Sequence, residues 1–243
     1  MFRQLLEGLP HRVPSQCAVC HAWPAQALCD ACVEQFAQPQ PRCRTCALPV
    51  HGGATQCGAC VREPPPLDAC VAAVAYAYPW SRLVTEFKFR QQPGWAAAFA
   101  LLMRSAPWVE PTLESADLLI PMPLADARLR ERGFNQALVL CRQLAPAKTD
   151  ATVLLRLHDT LPQTTLSRAE RLANLRHAFA VDPLRTAAVA GRQLVLVDDV
   201  MTSGASLHGA ARALRAAGAA SVTALVLARA ELAPAGDAVA AHS

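Results

Sequence analysis

From residue 70 onward the chain switches repeatedly between two hydrophobic periods. CVAAVAYAY (70–78) alternates small, β-branched and aromatic residues, the mark of a strand. WSRLVTEFKF (80–89) sets Leu83, Val84 and Phe87 on one side of a helix; Pro93-Gly94 interrupts the pattern and WAAAFALLMRSA (95–106) resumes it. ADLLIPMP (116–123) reads as a buried strand ended by prolines, and Phe134–Leu144 as a helix. VLLRL (153–157) is a weaker strand signal, and LSRAERLANLRHA (166–178) is helical in composition. QLVLVDD (193–199) is an apolar strand that ends in two acids. Ala205–Ala217 is an alanine-rich helix closed by Gly218, and SVTALVLAR (221–229) is a further apolar strand. The final LAPAGDAVAAHS reads as a loose tail. Apolar strands separated by helices predict an α/β fold with a mostly parallel sheet covered on both faces.

The first 66 residues lack these periods and are dominated by cysteine. Eight of the ten cysteines form four CxxC pairs, Cys17/Cys20, Cys29/Cys32, Cys43/Cys46 and Cys57/Cys60. A CxxC turn brings two thiolates to one tetrahedral ion, and two such turns complete a four-thiolate zinc site. The pairs are separated by eight residues in the first half and ten in the second, which suits two successive ribbons; an interleaved pairing also satisfies the count. Redox CxxC motifs and disulfides are the competing readings, and nothing else in the chain argues for an oxidising compartment. Four thiolates leave no open position for water, so such zinc is structural, and it supplies folding energy that so short a segment cannot raise from a core. Cys70 and Cys141 have no partner turn and read as small buried hydrophobes. Pro64-Pro65-Pro66 reads as a stiff connector. The predicted organisation is a Cys-rich double zinc ribbon over 1–66 and an α/β domain over 67–243.

Composition narrows the picture modestly. Hydrophobic residues make up 53% of the 243 positions, which excludes wholesale disorder. The net charge of +4 is too mild to mark a nucleic-acid binder by itself. Arginine outnumbers lysine 21 to 2, and guanidinium forks suit phosphate. The most apolar run, 216–228, falls short of the roughly 20 residues of a membrane span, and the N-terminus lacks the apolar core of a secretory signal. The expectation is a cytoplasmic protein.

The sharpest motif is VLVDDVMTSGAS (195–206). A strand delivers Asp198 and Asp199, the chain turns through Met201-Thr202-Ser203-Gly204, and a helix begins at Ala205. Free N–H groups and the positive end of the dipole make that helix start an anion cup, with the Thr202, Ser203 and Ser206 hydroxyls as added donors. An ordinary capped strand-to-helix turn would look similar, but would not need two adjacent acids. The string resembles the phosphoribosyl-diphosphate (PRPP) motif of type I phosphoribosyltransferases. With LLIPMPLADARLRERGFNQA (118–137), DTLPQTTLSRAERLANLRHAF (159–179) and the four CxxC pairs, the chain resembles, over roughly residues 17 to 230, the ComF family, whose members are associated with DNA uptake and use. It departs from the usual family pattern at Leu124-Ala125-Asp126 and at His177.

The resemblance implies PRPP with magnesium as ligand. It implies the 5′-phosphate on Thr202, Ser203, Gly204, Ala205 and Ser206, and the ribose hydroxyls on Asp198 and Asp199. The diphosphate would lie near the loop after strand 116–121, beside Arg128 and Arg132, which share a helix face that Arg130 does not. Residues 159–171 would form a flap, with Arg168 and Arg171 as catalytic cations closing over the diphosphate. Lys88 is a site candidate by resemblance and a helix-surface charge by sequence alone. His158 and His177 read as ordinary histidines rather than proton carriers.

The implied chemistry is pentosyl transfer from PRPP to an acceptor nitrogen with release of diphosphate, serving DNA uptake or nucleotide salvage. Two other classes stay open. One is a non-catalytic accessory that binds single-stranded DNA for the uptake machinery, since residues 120–180 carry nine basic and five acidic side chains. The other is a PRPP-sensing regulator on the same fold.

Overall fold

A computed structural model describes residues 15–90, 92–157 and 178–231. The chain forms two compact units, Met1–Gln38 and Pro39–Ser243.

In the first unit an antiparallel bridge joins Ser15 to Ala25, and helix α1 (Asp30–Phe36) follows. Its described apolar core is small: Val19 and Leu28 are buried beside Cys17 and Cys32.

The second unit begins with a ribbon bridged from Arg42 to Pro49 and closed by the short helix α2 (Gly58–Arg62). Its main body is a four-stranded sheet in the order β1-β6-β5-β2, all parallel: β1 (Ala69–Ala75), β2 (Leu118–Pro121), β5 (Gln193–Met201) and β6 (Ser221–Arg229). Helices α3 (Trp80–Phe89), α4 (Trp95–Ser105) and α5 (Val109–Ser115) lie between β1 and β2; α6 (Asp126–Arg132) and α7 (Gln136–Leu144) follow β2; α8 (Ala205–Ala216) joins β5 to β6. A separate antiparallel pair is made by β3 (Leu154–Arg156) and β4 (Phe179–Val181).

The central strands are apolar because both faces are covered. Leu194, Leu196, Val222, Ala224 and Val226 share one buried cluster with Leu207, Ala210, Ala211 and Leu214 of α8. The alternate residues Val195, Val197, Leu225 and Leu227 are equally buried and stand outside it. Successive side chains of a strand point to opposite faces, so burial of both sets requires cover on both. Helices α4 and α7 contact β1, β2 and β5.

The division into units differs from the boundary expected at residue 66. The second ribbon shares the sheet's core: Cys43, Cys46, Ala47, Val50 and Cys60 belong to the same buried cluster as β5, β6 and α8. The triple proline is also tied down, since Arg215 Nε donates to the Pro66 carbonyl at 2.9 Å and Asp68 accepts from the Val222 N–H at 2.7 Å. The chain therefore divides after Gln38, between the two ribbons. The helices α1, α2 and α5 and the strand β4 had no clear sequence signal: all are short, and β4 is defined only by its pairing with β3. No helix among the described residues is long and apolar enough to cross a membrane.

Candidate functional site

The cysteines resolve into two successive clusters, Cys17-Cys20-Cys29-Cys32 and Cys43-Cys46-Cys57-Cys60, with all sulfurs of a cluster within 4.8 Å of one another. All eight are free thiols. Sulfur pairs lie 3.6 Å apart for Cys20–Cys29, 3.7 Å for Cys46–Cys57 and 3.9 Å for Cys17–Cys32. Four thiolates at a Zn–S distance of roughly 2.3 Å stand about 3.8 Å apart, so both clusters fit zinc. The interleaved pairing is excluded.

The two ribbons repeat the same local chemistry. The residue after the first CxxC turn of each sits in the left-handed region, His21 at φ 62° and Ala47 at φ 57°. Their N–H groups donate to the carbonyls of Cys17 and Cys43. Burial opposes ionisation at Cys17, but the N–H groups of Cys20, Cys29 and Val19 outweigh it and bring the thiol down to about 6. At Cys43 burial is likewise overcome, by the N–H groups of Cys57, Thr45 and Cys46, with the same result of about 6. Turns that aim N–H groups at sulfur favour thiolate, the form that binds metal. Cys70 and Cys141 are buried outside the clusters, as expected of small hydrophobes.

The second centre is a cavity of about 360 Å³ at the carboxyl ends of the strands. Its opening follows from the topology. β2 stops pairing at Pro121, opposite Val197, and prolines at 121 and 123 help to end the strand. β5 continues to Met201, paired only with β6 as far as Met201↔Arg229. The acids thus lie inside the strand, two residues before its end, where the sequence had placed the strand's end at the acids themselves. Beyond Val197 the edge of β5 that faced β2 is paired with no strand among the described residues, and the cavity opens where the two strands part.

Asp198 and Asp199 line this cavity together with Thr202, Ser203, Ala205 and Ser206. Gly204 caps α8 at φ 79°, and a Cβ there would stand 2.4 Å from Met201 Cε and 3.0 Å from His208 Nε2. Only glycine satisfies both the backbone and the space. Ser203 Oγ accepts from the Ala205 N–H at 3.4 Å. Lys88, from α3, pairs with Asp199 at 2.8 Å and lines the same cavity. Desolvation and the neighbouring Asp199 charge push the Asp198 carboxyl up to about 7, against the Asp199 N–H, Lys88 and Arg132.

Arg128 and Arg132 line the cavity with the acids, and Arg130 is not among its lining residues. Asp126 opens α6, where the helix dipole favours an acid. Arg132 is buried, with its guanidinium 5.1 Å from the Phe89 ring centroid. Its Nη1 donates to Gln136 Oε1 at 3.0 Å, while Arg132 Nε and Gln136 Nε2 have no hydrogen-bond partner among the described residues. Asn135 caps α7 by accepting from the Leu138 N–H, and its amide donates to the Met122 carbonyl at 3.0 Å, fixing the GFNQ turn to the end of β2. The cavity is also lined by Tyr76, Gln136 and Arg156, which the sequence did not single out. Gln136 carried a signal, since a glutamine is a poor choice for a helix position that is 1% exposed. His208 was missed as well: it lies under Gly204, and burial, then the charges of Arg212 and Arg229, hold it down to about 4. Arg168 and Arg171, the flap 159–171, His158 and His177 lie outside the described residues.

A parallel α/β sheet with an acidic pair, a glycine-led helix start and two arginines around one cavity defines a phosphoribosyltransferase-type domain. The phosphoribosyl transferase domain family matches residues 102–237. The chain is 33% identical over 226 residues to the DNA utilization protein YhgH of Salmonella typhimurium, covering 89% of this chain and 98% of that one. It is 32% identical over 211 residues to Competence protein F of Haemophilus influenzae, covering 84% and 90%. It is 36% identical over 113 residues to Competence protein ComFC of Bacillus subtilis, covering 46% and 44%. The chain belongs to the ComF family of type I phosphoribosyltransferase-like proteins.

Proposed function

We propose that this protein binds PRPP in the cavity at the end of β5 and transfers its phosphoribosyl group to an acceptor nitrogen, in the service of DNA uptake or use. The observation that carries the reading is one cavity lined by a helix start, two carboxylates and two arginines. The 5′-phosphate rests on the N–H groups at the start of α8, the ribose hydroxyls donate to Asp198 and Asp199, and the diphosphate lies by Arg128 and Arg132. Lys88 offsets the repulsion between the paired acids. Magnesium, bound with PRPP, neutralises charge on the diphosphate. In the reaction the bond from the anomeric carbon to diphosphate breaks, the acceptor nitrogen bonds to that carbon, and the nitrogen loses its proton. The chain's part is electrostatic: Arg128 and Arg132 hold the charge that grows on the leaving group, and Asp198 and Asp199 fix the sugar. Each cluster holds one structural zinc, two per chain.

Calorimetric titration with PRPP and magnesium is expected to show one site, and diphosphate release across a panel of bases should reveal the acceptor. A chain that binds no PRPP refutes the reading. A second reading, binding of single-stranded DNA without transfer, draws on the relatives named for DNA utilization and competence and on the aromatic side chains of Tyr78 and Phe89, 65% and 57% exposed. Arg132→Ala separates the two. It should weaken PRPP more than an oligonucleotide; equal loss, or loss for the oligonucleotide alone, favours the second.

A further inference from the structure

Arg229, the last residue of β6, is 2% exposed. Its guanidinium reaches two segments distant along the chain. Nε donates to the carbonyl of Cys46, inside the second cysteine cluster, at 2.7 Å. Nη1 donates to the carbonyl of Met201 at 2.9 Å and also to those of Thr202 and Ala230. Met201 and Thr202 open the turn whose N–H groups form the anion cup. One buried side chain thus clamps a cysteine turn and the phosphate loop.

The charge is as informative as the bonds. No carboxylate pairs with Arg229 among the described residues. A buried guanidinium without a counter-ion is costly. The neighbouring cluster supplies one: four thiolates around a divalent ion leave two net negative charges. Cys70 adds a second tie between the ribbon and the loop, because its N–H donates to the Arg44 carbonyl at 2.7 Å and its sulfur touches Met201 Sδ at 3.5 Å.

We propose that Arg229 is a positioning residue that couples the second cysteine cluster to the phosphate loop. Metal in Cys43-Cys46-Cys57-Cys60 holds the loop in its anion-binding form, and an anion on the loop in turn holds the metal. The second half follows from the first, because a coupling free energy between two binding sites is reciprocal. The inference rests on the PRPP reading above for the identity of the anion, and its direct readout is metal release.

The test uses the full zinc-loaded chain. Zinc release to a zinc-selective chromogenic chelator is followed with and without saturating PRPP and magnesium, and Cys17→Ser assigns the phase that belongs to the second cluster. PRPP should slow that phase by at least about fivefold, the low end of typical site-to-site coupling. Arg229→Lys keeps the charge but cannot span Cys46 and Met201 together; it should retain its zinc and lose the slowing by PRPP. If PRPP binds by calorimetry and zinc release is unchanged, or Arg229→Lys keeps the full effect, the coupling is refuted while the PRPP reading stands. If Arg229→Lys does not fold, the native comparison alone decides. If PRPP does not bind, inorganic phosphate replaces it in the same assay. Slowing by phosphate then supports the coupling without the PRPP reading, and no slowing by either ends both.

Discussion

The two cysteine ribbons are local twins with different surroundings. Both use a CxxC turn followed by a left-handed residue, and both bring one thiol down to about 6 by the same N–H geometry. The first ribbon belongs to a compact unit of its own, whereas the second lies in the same buried cluster as the sheet, and its Cys46 carbonyl is held by Arg229. The same local motif thus serves as a self-contained staple in one place and as part of the wall of a functional domain in the other. Spacing along the chain sets the metal chemistry, but not what the metal site supports.

The largest expected effect tests that contrast. Cys43→Ser should lose about one zinc and abolish the cooperative thermal transition of the sheet unit, because a structural site contributes on the order of 10 kcal/mol and a domain's whole stability is of similar size. Cys17→Ser should also lose about one zinc but leave that transition in place. Elemental analysis and thermal unfolding followed by circular dichroism check both. Similar transitions for the two variants would erase the distinction between the ribbons.

The next effect is at the cavity. Replacing Asp198 and Asp199 together with Asn keeps their size and removes charge-assisted bonds worth roughly 1.5–3 kcal/mol each. PRPP affinity by calorimetry should fall at least about tenfold in a folded protein. Gly204→Ala comes third. It forces a Cβ against Met201 in a left-handed backbone, and should lower stability by about 1–3 kcal/mol and weaken PRPP binding. A melt and a titration of the same sample measure the two losses.

Acidity offers a milder probe of the same cavity. The Asp198 carboxyl titrates near 7 in the folded chain, against 3.8 for an ordinary aspartate. Between those values the folded chain keeps a proton that the unfolded chain has shed. The contribution to stability is therefore present at the acid end and lost as pH rises through 7. PRPP binding runs the opposite way, because sugar hydroxyls donate to the charged form. Affinity should rise by roughly tenfold between pH 6 and 8, and Asp198→Asn should flatten both trends. The smallest expected effect returns to the first ribbon. His21→Gly relieves a left-handed conformation and should slow zinc loss from that cluster, by about 1 kcal/mol in stability. Ala47→Gly offers the same relief in the second ribbon, so a comparison of the two measures how much surrounding core already enforces that backbone.

Much of the protein was determined by the sequence alone, where the determinant is local. Continuous apolar runs at 194–197 and 224–228 require a strand covered on both sides, CxxC spacing requires a shared metal, and DDVMTSGAS carries its own turn, glycine and helix start. Lys88 shows the limit of local reasoning. Its neighbours mark only an amphipathic helix, and its pairing with Asp199 depends on how α3 packs beside β5. Arg156, Tyr76 and Gln136 reach the cavity from separate elements, and no spacing rule links them. The second ribbon's place in the sheet's core was equally hidden, because a triple proline reads as a connector until Arg215 and Asp68 are seen to anchor it. Arg229 is the clearest case: in sequence it ends an apolar strand, while its partners at 46, 201 and 202 lie far away along the chain. Hydrophobic period and ligand spacing act over a few residues and can be read directly, whereas a buried charge is satisfied by whatever the folded chain brings to it.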